Sequence, residues 1–310
     1  MKLAFAILCL LANIAIGAEV PKSPYIAIVY RYADAIIKNN RDTHSFGQND
    51  LRILYTLTEL STKPIYRDSA DAQLKWLLQN PAGITDGRRP WMLWDRCFEI
   101  GPELSRALAE KSSSIRAFAA AYQHTKDEKF LKLIEAALIP GKTPGEQIGL
   151  AIDAWGAASR VPEPVATTLR RFAKSQDEAF LSQPNPLQKN NLAMLCVSRY
   201  ENTGNIKYRD LVHAAADACN KHPLSNLQPP MTFGHIISLQ LAAWRSTSRQ
   251  EYIDSARNFA DIAVKRFWTG DNPIPQVTAG ADSLILSFLE LHLSILHITA
   301  VRCPPNTIDR

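Results

Sequence analysis

The stretch TGNIKYRD, residues 203–210, joins a polar turn to an aromatic residue that lies five positions after its threonine. Val212 and Ala216 follow four and eight positions after Tyr208, which is the spacing of one face of a helix. The same pattern of Ser or Thr, aromatic residue and two small or aliphatic residues occurs four times. The four copies are Ser61, Tyr66, Ala70 and Leu74; Thr125, Phe130, Ile134 and Leu138; Thr203, Tyr208, Val212 and Ala216; and Thr247, Tyr252, Ala256 and Ala260.

Each copy predicts a helical hairpin, in which the aromatic residue of the second helix packs under the turn that ends the first. The aromatic residues are 64, 78 and 44 positions apart, so the chain is not a short-period solenoid. The rest of the sequence has helical periodicity, and no run alternates as a half-buried strand does. We therefore predict an all-α protein of about twelve or thirteen helices.

The N-terminus has the composition of a secretory signal peptide: Lys2, an apolar run over residues 3–16, then Gly17 and Ala18. We predict that residues 1–18 are removed, that the protein is secreted or periplasmic, and that residues 19–310 form one domain. A second apolar stretch, residues 281–301, contains charged groups that are costly in lipid, among them Asp282 and Glu290. It predicts a buried or amphipathic helix, so no integral membrane segment is expected after cleavage.

The formal net charge is +5, but the basic residues are scattered and form no stripe interleaved with aromatics. A nucleic-acid partner is therefore not expected. Four cysteines follow the signal peptide, which permits disulfides, although Cys196 and Cys219 are predicted to be too far apart along a hairpin to pair. The sequence contains no CxxC, GxSxG or HExxH motif and no phosphate-binding loop, so we expect no metal and no cofactor.

The turn-aromatic-helix segments, such as Gly204-Asn205-Ile206-Lys207-Tyr208-Arg209-Asp210, together with the export signal, resemble the α/α-toroid proteins. These are the six-hairpin glycosidase-like superfamily and the toroidal polysaccharide lyases. The resemblance covers most of residues 24–300 and is one of architecture, because no catalytic motif of a member can be matched residue by residue. It implies five or six hairpins in a closed or partly open toroid. It also implies a carbohydrate cleft at one end, built from aromatic and carboxylate side chains on the loops between helices.

One stretch, residues 88–103, has the residue types that such a cleft needs. Trp91 and Trp94 offer flat surfaces for sugar rings, and Asp95 and Glu99 offer carboxylates for acid and base chemistry. Two arginines in it, Arg88 and Arg96, are suited to bind an anionic sugar. The structural alternative is that the tryptophans fill a core and that the charges only pair with one another.

Three other segments are weaker candidates. Asp42 and His44 lie in a polar loop before Asp50, which is equally well explained as a first-turn acid of the next helix. His235 follows a proline-rich loop, residues 228–234, and is a candidate acid or base, although a lone histidine is more often structural. Residues 267–272 place a loop tryptophan beside Asp271.

Two classes of function follow from these residues. The first is an exported protein that acts on carbohydrate, by hydrolysis with Asp95 and Glu99 or by elimination from a uronate. In an elimination, Arg96 holds the substrate carboxylate while His44 or His235 moves the proton. The second is a non-enzymatic helical-repeat scaffold that binds protein or peptide, or a toroid that has lost its activity.

Overall fold

The computed structural model describes residues 23–40, 47–79, 109, 114–184, 186–187, 190–221, 228–268, 272, 275 and 280–296. These residues form twelve α-helices and one short 3₁₀ helix and contain no strand. The predictions of an all-α fold and of about twelve helices are therefore confirmed for this part of the chain. In chain order the α-helices are α1 Pro24–Asn40, α2 Gln48–Leu60, α3 Ile65–Gln79, α4 Ile115–Thr125, α5 Lys129–Ala136, α6 Pro144–Ala157, α7 Glu163–Leu181, α8 Asn190–Thr203, α9 Ile206–Lys221, α10 Pro230–Thr247, α11 Gln250–Phe267 and α12 Ala281–Ile295.

The four predicted hairpin turns are present, at the junctions α2–α3, α4–α5, α8–α9 and α10–α11. In every turn the Ser or Thr hydroxyl accepts the backbone N–H two residues later. The four distances lie between 3.1 and 3.3 Å: Lys63 to Ser61, Asp127 to Thr125, Asn205 to Thr203 and Arg249 to Thr247. The aromatic residue of each copy is at most 2 % exposed. The local pattern thus specifies both the turn and the buried anchor.

Three of these turns share a left-handed residue directly after the threonine. Lys126, Gly204 and Ser248 have φ values of 56°, 66° and 58°. Their N–H groups donate to the carbonyls of Tyr122, Tyr200 and Trp244 at 2.7–2.8 Å. These bonds end the first helix of the hairpin by satisfying one of its last carbonyls.

Two helix ends have a local explanation. Helix α8 continues into the turn as far as Thr203, whose hydroxyl donates to the Arg199 carbonyl. Helix α10 begins at Pro230, since proline suits the first helical turn, where a backbone N–H is not needed.

The helices alternate between two kinds. Each odd-numbered helix has at least five exposed side chains, whereas each even-numbered helix has at most two among those described. The odd-numbered helices are therefore amphipathic with one solvent face, and the even-numbered helices are enclosed by others.

The connections alternate as well. Each described chain segment from an even-numbered helix to the next helix is at most five residues long, as at residues 204–205 and 248–249. Each stretch between an odd-numbered helix and the next even-numbered helix spans at least seven residues, and the longest, residues 80–114, contains the helical residue Ala109 and lies mostly outside the described residues. All four candidate segments named from the sequence lie on, or end at, segments of the second kind.

Contacts divide the chain into two compact units. One contains the described parts of residues 1–66 and 224–302, and the other contains those of residues 67–223. The first unit brings the beginning and the end of the helical chain together: the Tyr25 hydroxyl donates to Oδ1 of Asp261 at 2.6 Å, and the Tyr25 ring lies 5.4 Å from that of Phe288. The expectation of a single domain over residues 19–310 stays a prediction.

The second unit contains a buried ion pair. Arg199 is 1 % exposed, and its Nε and Nη2 atoms donate to the two carboxylate oxygens of Asp177 at 2.8 and 2.5 Å. The Tyr208 hydroxyl donates to the same carboxylate at 2.6 Å. One of the four hairpin anchors therefore also satisfies a buried charge, which would otherwise be costly.

Helix α12 is part of the apolar stretch that was predicted to be a buried helix, and none of its side chains is exposed. No helix in the described ranges is both long enough and apolar enough to span a bilayer. Cys196 and Cys219 are unpaired thiols, and Cys97 and Cys303 lie outside the described residues.

Candidate functional site: a polar face on three parallel helices

Three enclosed helices of the first unit, α2, α10 and α12, begin side by side. The side-chain amide of Asn49, in α2, donates to Oδ2 of Asp282 at 2.9 Å and to Oγ of Ser283 at 3.2 Å. A Cβ on Gly234, in α10, would lie 2.7 Å from the Ser283 carbonyl oxygen. The first turns of α2 and α10 therefore both lie against the first turn of α12.

The same three helices meet again further along. The Ser238 hydroxyl, in α10, donates to Oε2 of Glu290 at 2.7 Å. Nη2 of Arg52, in α2, lies 3.8 Å from Oε1 of the same carboxylate. Because later residues of α2 and α10 meet later residues of α12, the three helices run parallel.

Two glycines make this close approach possible. Gly280 precedes α12 with a φ of 74°, a conformation that favours glycine, and a Cβ there would lie 2.5 Å from Cβ of Met231. Gly234 has no side chain at the point where α10 crosses the backbone of Ser283. Larger residues at either position would push α10 away from α12.

The contacting polar residues lie on one side of each helix and are half-buried, whereas most of their neighbours are buried. On α10, His235 lies one turn before Ser238, so the two side chains share a face. We call this set the polar face. It consists of Asn49, Arg52, His235, Ser238, Asp282, Ser283 and Glu290.

Asp50 lies beside the polar face and is buried. Its Oδ2 accepts the Gly47 N–H at 2.8 Å, and its Oδ1 accepts the Tyr32 hydroxyl at 2.9 Å. Burial raises the pKa of Asp50 to about 6, Asp282 adds to the rise, and the two hydrogen bonds oppose it. These contacts agree with the alternative interpretation of Asp50 as a first-turn acid that caps α2.

Gly47 separates Asp50 from the polar face. A Cβ at this position would lie 3.3 Å from Oδ2 of Asp50 and 3.8 Å from Oδ2 of Asp282. The two carboxylates therefore flank one glycine, which explains why the charge of Asp282 affects the pKa of Asp50.

His235 supplies an imidazole that is neutral at physiological pH. Burial lowers its pKa below the ordinary value of 6.5. A neutral imidazole has one nitrogen that can accept a proton, so His235 can act as a base without first losing one.

Of the nine site residues named from the sequence, His235 is the one that the structure describes. The other eight lie outside the described residues and stay predictions: Asp42, His44, Arg88, Trp91, Trp94, Asp95, Arg96 and Glu99. The structure adds six residues to the candidate site, namely Asn49, Arg52, Ser238, Asp282, Ser283 and Glu290. The signal that could have found them is a polar residue at helical spacing on an otherwise apolar helix, as in residues 281–295.

The comparisons with known proteins give no guide to the function, because no family model, curated protein or solved structure matches the chain. The chemistry of the polar face must be argued from its own groups. It combines two carboxylates, a neutral imidazole, two hydroxyls, an amide and a guanidinium. Such a set can bind a hydroxyl-rich ligand and can move a proton.

Proposed function

We propose that this chain is an exported α/α-toroid protein that acts on carbohydrate, by hydrolysis or by elimination. The observation that carries the proposal is the polar face, where half-buried acid, base and hydroxyl groups lie on helices that are otherwise enclosed. Polar side chains on an enclosed helix have a desolvation cost, so they are better explained by a ligand than by stability.

Three features support the toroidal arrangement. The helices alternate between enclosed and amphipathic, as inner and outer helices of a toroid would. The enclosed helices α2, α10 and α12 run parallel, which is expected for an inner ring. The contacts between Asn49 and Asp282 and between Tyr25 and Asp261 join the first two described helices, α1 and α2, to the last two, α11 and α12. A closed ring requires such contacts, and an open solenoid has none.

The lengths of the connections support a site at one end. In a toroid of alternating helices, all segments from odd-numbered to even-numbered helices would lie at the same end. In the first unit those are the segments that lead into α2, α10 and α12, at residues 41–47, 222–229 and 268–280. The polar face begins at that end, at the first turns of α2, α10 and α12. Loops that carry sites at the edge of a rigid scaffold are common in enzymes.

The chemistry is assigned to groups that a ligand can reach. Asp282 and Glu290 are the carboxylates of the polar face, and His235 is its base. Asp50 has a pKa suited to an acid at neutral pH, but both of its oxygens accept hydrogen bonds from the protein. We therefore assign Asp50 to shaping the site and not to contact with substrate. Asp95 and Glu99 stay candidates for the acid and base of hydrolysis.

A panel of oligosaccharides tests the proposal. New reducing ends report hydrolysis, and the ultraviolet absorbance of an unsaturated sugar reports elimination. We expect Asp282→Asn and His235→Gln to lower kcat/KM for the best substrate by about a hundredfold or more, the usual loss when an acid or base is removed. The matched control is Asp34→Asn, because Asp34 accepts a hydrogen bond of 2.9 Å from Tyr66 in the same unit but away from the polar face.

Circular dichroism and thermal melting of each variant separate loss of chemistry from loss of fold. Binding of a glycan without turnover by the wild-type protein would favour the alternative of a toroid that has lost its activity. If no oligosaccharide is bound or converted, or if Asp282→Asn and His235→Gln turn over as fast as wild type, the polar face is not a carbohydrate active site.

Export is tested by locating the protein after expression with its own N-terminus and weighing the mature chain. We expect it outside the cytoplasm with a mass that corresponds to loss of about 18 residues, as for a cleaved signal peptide. Full-length protein retained in the cytoplasm would contradict this part of the proposal.

A further inference from the structure

Arg52 is the positively charged member of the polar face, and Glu290 holds it. The ion pair is open to solvent on one side, since the two side chains are 26 % and 19 % exposed. Its 3.8 Å separation is longer than a hydrogen bond, and Ser238 occupies the other carboxylate oxygen of Glu290. Arg52 therefore has a counter-ion within the protein but keeps N–H donors that a ligand can use.

The buried pair of the second unit shows the contrast. Arg199 donates two hydrogen bonds to the carboxylate of Asp177, and the arginine is 1 % exposed. A ligand cannot reach that guanidinium. The Arg52–Glu290 pair has a longer N–O distance and is partly exposed to solvent. A ligand can therefore reach this guanidinium.

The charges of the polar face determine which ligand fits. Asp282 and Glu290 are its negatively charged groups, Arg52 is its positively charged group, and Asp50 lies behind Gly47, so negative charge exceeds positive charge at neutral pH. The whole chain has the opposite sign, with a formal net charge of +5. An anionic group entering here would meet carboxylates on α12 and an arginine that is already neutralised. Like charges a few ångströms apart in a partly desolvated site repel strongly.

We propose that Glu290, by holding Arg52 in an ion pair, makes the polar face selective for uncharged sugar residues over sugars that carry a carboxylate. This inference rests on the proposed function, because it names the substrate class of the same site. It also favours hydrolysis, since elimination from a polysaccharide needs a substrate carboxylate that the site would have to bind. The donors of Arg52 then serve sugar hydroxyls.

The test compares one oligosaccharide in two charge states by calorimetry. The probes are the best-bound hexose oligosaccharide of the panel and the same molecule with its primary hydroxyls oxidised to carboxylates. For the wild-type protein we expect the uncharged form to bind at least about tenfold more tightly, which corresponds to roughly 1.4 kcal/mol. A panel whose best ligand is already a uronate, or a wild-type preference for the oxidised form, would overturn the proposal.

Two variants locate the selectivity. Glu290→Gln removes the counter-ion of Arg52, so the oxidised form should gain about tenfold in affinity and that gain should weaken with salt. Arg52→Gln should lower the affinity for the oxidised form below that of the wild-type protein. The control is Glu201→Gln, an exposed change of the same charge in α8 that should leave the ratio of the two affinities unchanged.

The outcomes separate this inference from the proposed function. If neither form binds, the proposed function fails. If both forms bind with equal affinity, or if Glu290→Gln shifts the ratio no more than Glu201→Gln, carbohydrate binding stands but Glu290 does not set the charge selectivity. Melting temperatures of the variants show whether each one retains its fold.

Discussion

The side-chain amide of Asn49 donates a 2.9 Å hydrogen bond to the carboxylate of Asp282, which lies 233 positions later in the sequence. This bond joins α2 to α12 and places both residues on the polar face. We expect Asn49→Ala to lower the free energy of unfolding by about 1–2 kcal/mol, because the half-buried side chains of Asp282 and Ser283 each lose a hydrogen bond. The shift of the urea midpoint measures this change.

Asn258→Ala is the matched control for that experiment. Asn258 is exposed on α11, and its replacement should change stability by no more than about 0.5 kcal/mol. Equal midpoints for the two variants would show that the contact between α2 and α12 contributes nothing to stability.

Asp50 predicts a pH dependence of stability. Burial raises its pKa from 3.8 to about 6, so the folded protein binds this proton more tightly than the unfolded chain does. The resulting stabilisation is complete below pH 4 and is lost as the pH rises through about 6, with an amplitude of up to about 3 kcal/mol. In Asp50→Asn this loss is absent, so the variant should gain stability relative to wild type between pH 4 and pH 7. A wild-type-minus-variant difference that is flat over this range would contradict the assignment.

Tyr32 affects the pH range over which the stabilisation by Asp50 is lost. Its hydroxyl donates to Oδ1 of Asp50 and thereby lowers the pKa of that carboxyl. Tyr32→Phe should therefore shift the pH at which the stabilisation is lost to a higher value. NMR titration of the Asp50 carboxyl carbon measures the shift directly. An unchanged or lower pKa would show that this hydrogen bond does not stabilise the charged form.

The left-handed turn residues predict gains in stability. Lys126 and Ser248 have the positive φ that Gly204 has in the equivalent turn. Lys126→Gly and Ser248→Gly should each stabilise the protein by about 0.5–1 kcal/mol, and Gly204→Ala should destabilise it by about 1 kcal/mol. Differential scanning calorimetry provides the comparison. Destabilisation by both glycine variants would mean that the turns do not have this conformation.

The buried ion pair predicts a large loss. Asp177→Ala leaves Arg199 buried without its counter-ion and removes the acceptor of Tyr208, so stability should fall by about 3–5 kcal/mol. The surface pair of Arg209 and Asp210 is the comparison, and Arg209→Ala should cost less than about 1 kcal/mol. Chemical denaturation of both variants is sufficient. Similar losses would show that burial does not distinguish the two pairs.

The sequence predicted the hairpins well because their determinants are local. The Asn205 N–H donates to the Thr203 hydroxyl, and the ring of Tyr208 is buried, so both features depend on residues within six positions of one another. The same holds for the turns at Thr125 and Thr247. Helical spacing likewise predicted buried positions that follow these aromatic residues, namely Ala70, Ile134, Val212, Ala216, Ala256 and Ala260.

The polar face could not be predicted in the same way, because its contacts join residues that are far apart in the chain. Asn49 meets Asp282 and Ser238 meets Glu290 only after α2, α10 and α12 have packed together. His235 was predicted as a site residue from its position after a proline-rich loop, but the other residues of the polar face were not predicted. A single sequence shows that Asp282 and Glu290 interrupt an apolar helix, and it does not show which helices face them.

The most direct test of the central claim is a crystal structure of the Asp282→Asn variant with the best-bound oligosaccharide of the panel. We expect a sugar residue within hydrogen-bond distance of His235 and of at least one neighbour on the polar face, such as Ser283 or Glu290. A bound sugar that contacts no residue of the polar face would contradict the assignment of α2, α10 and α12 as the carbohydrate site.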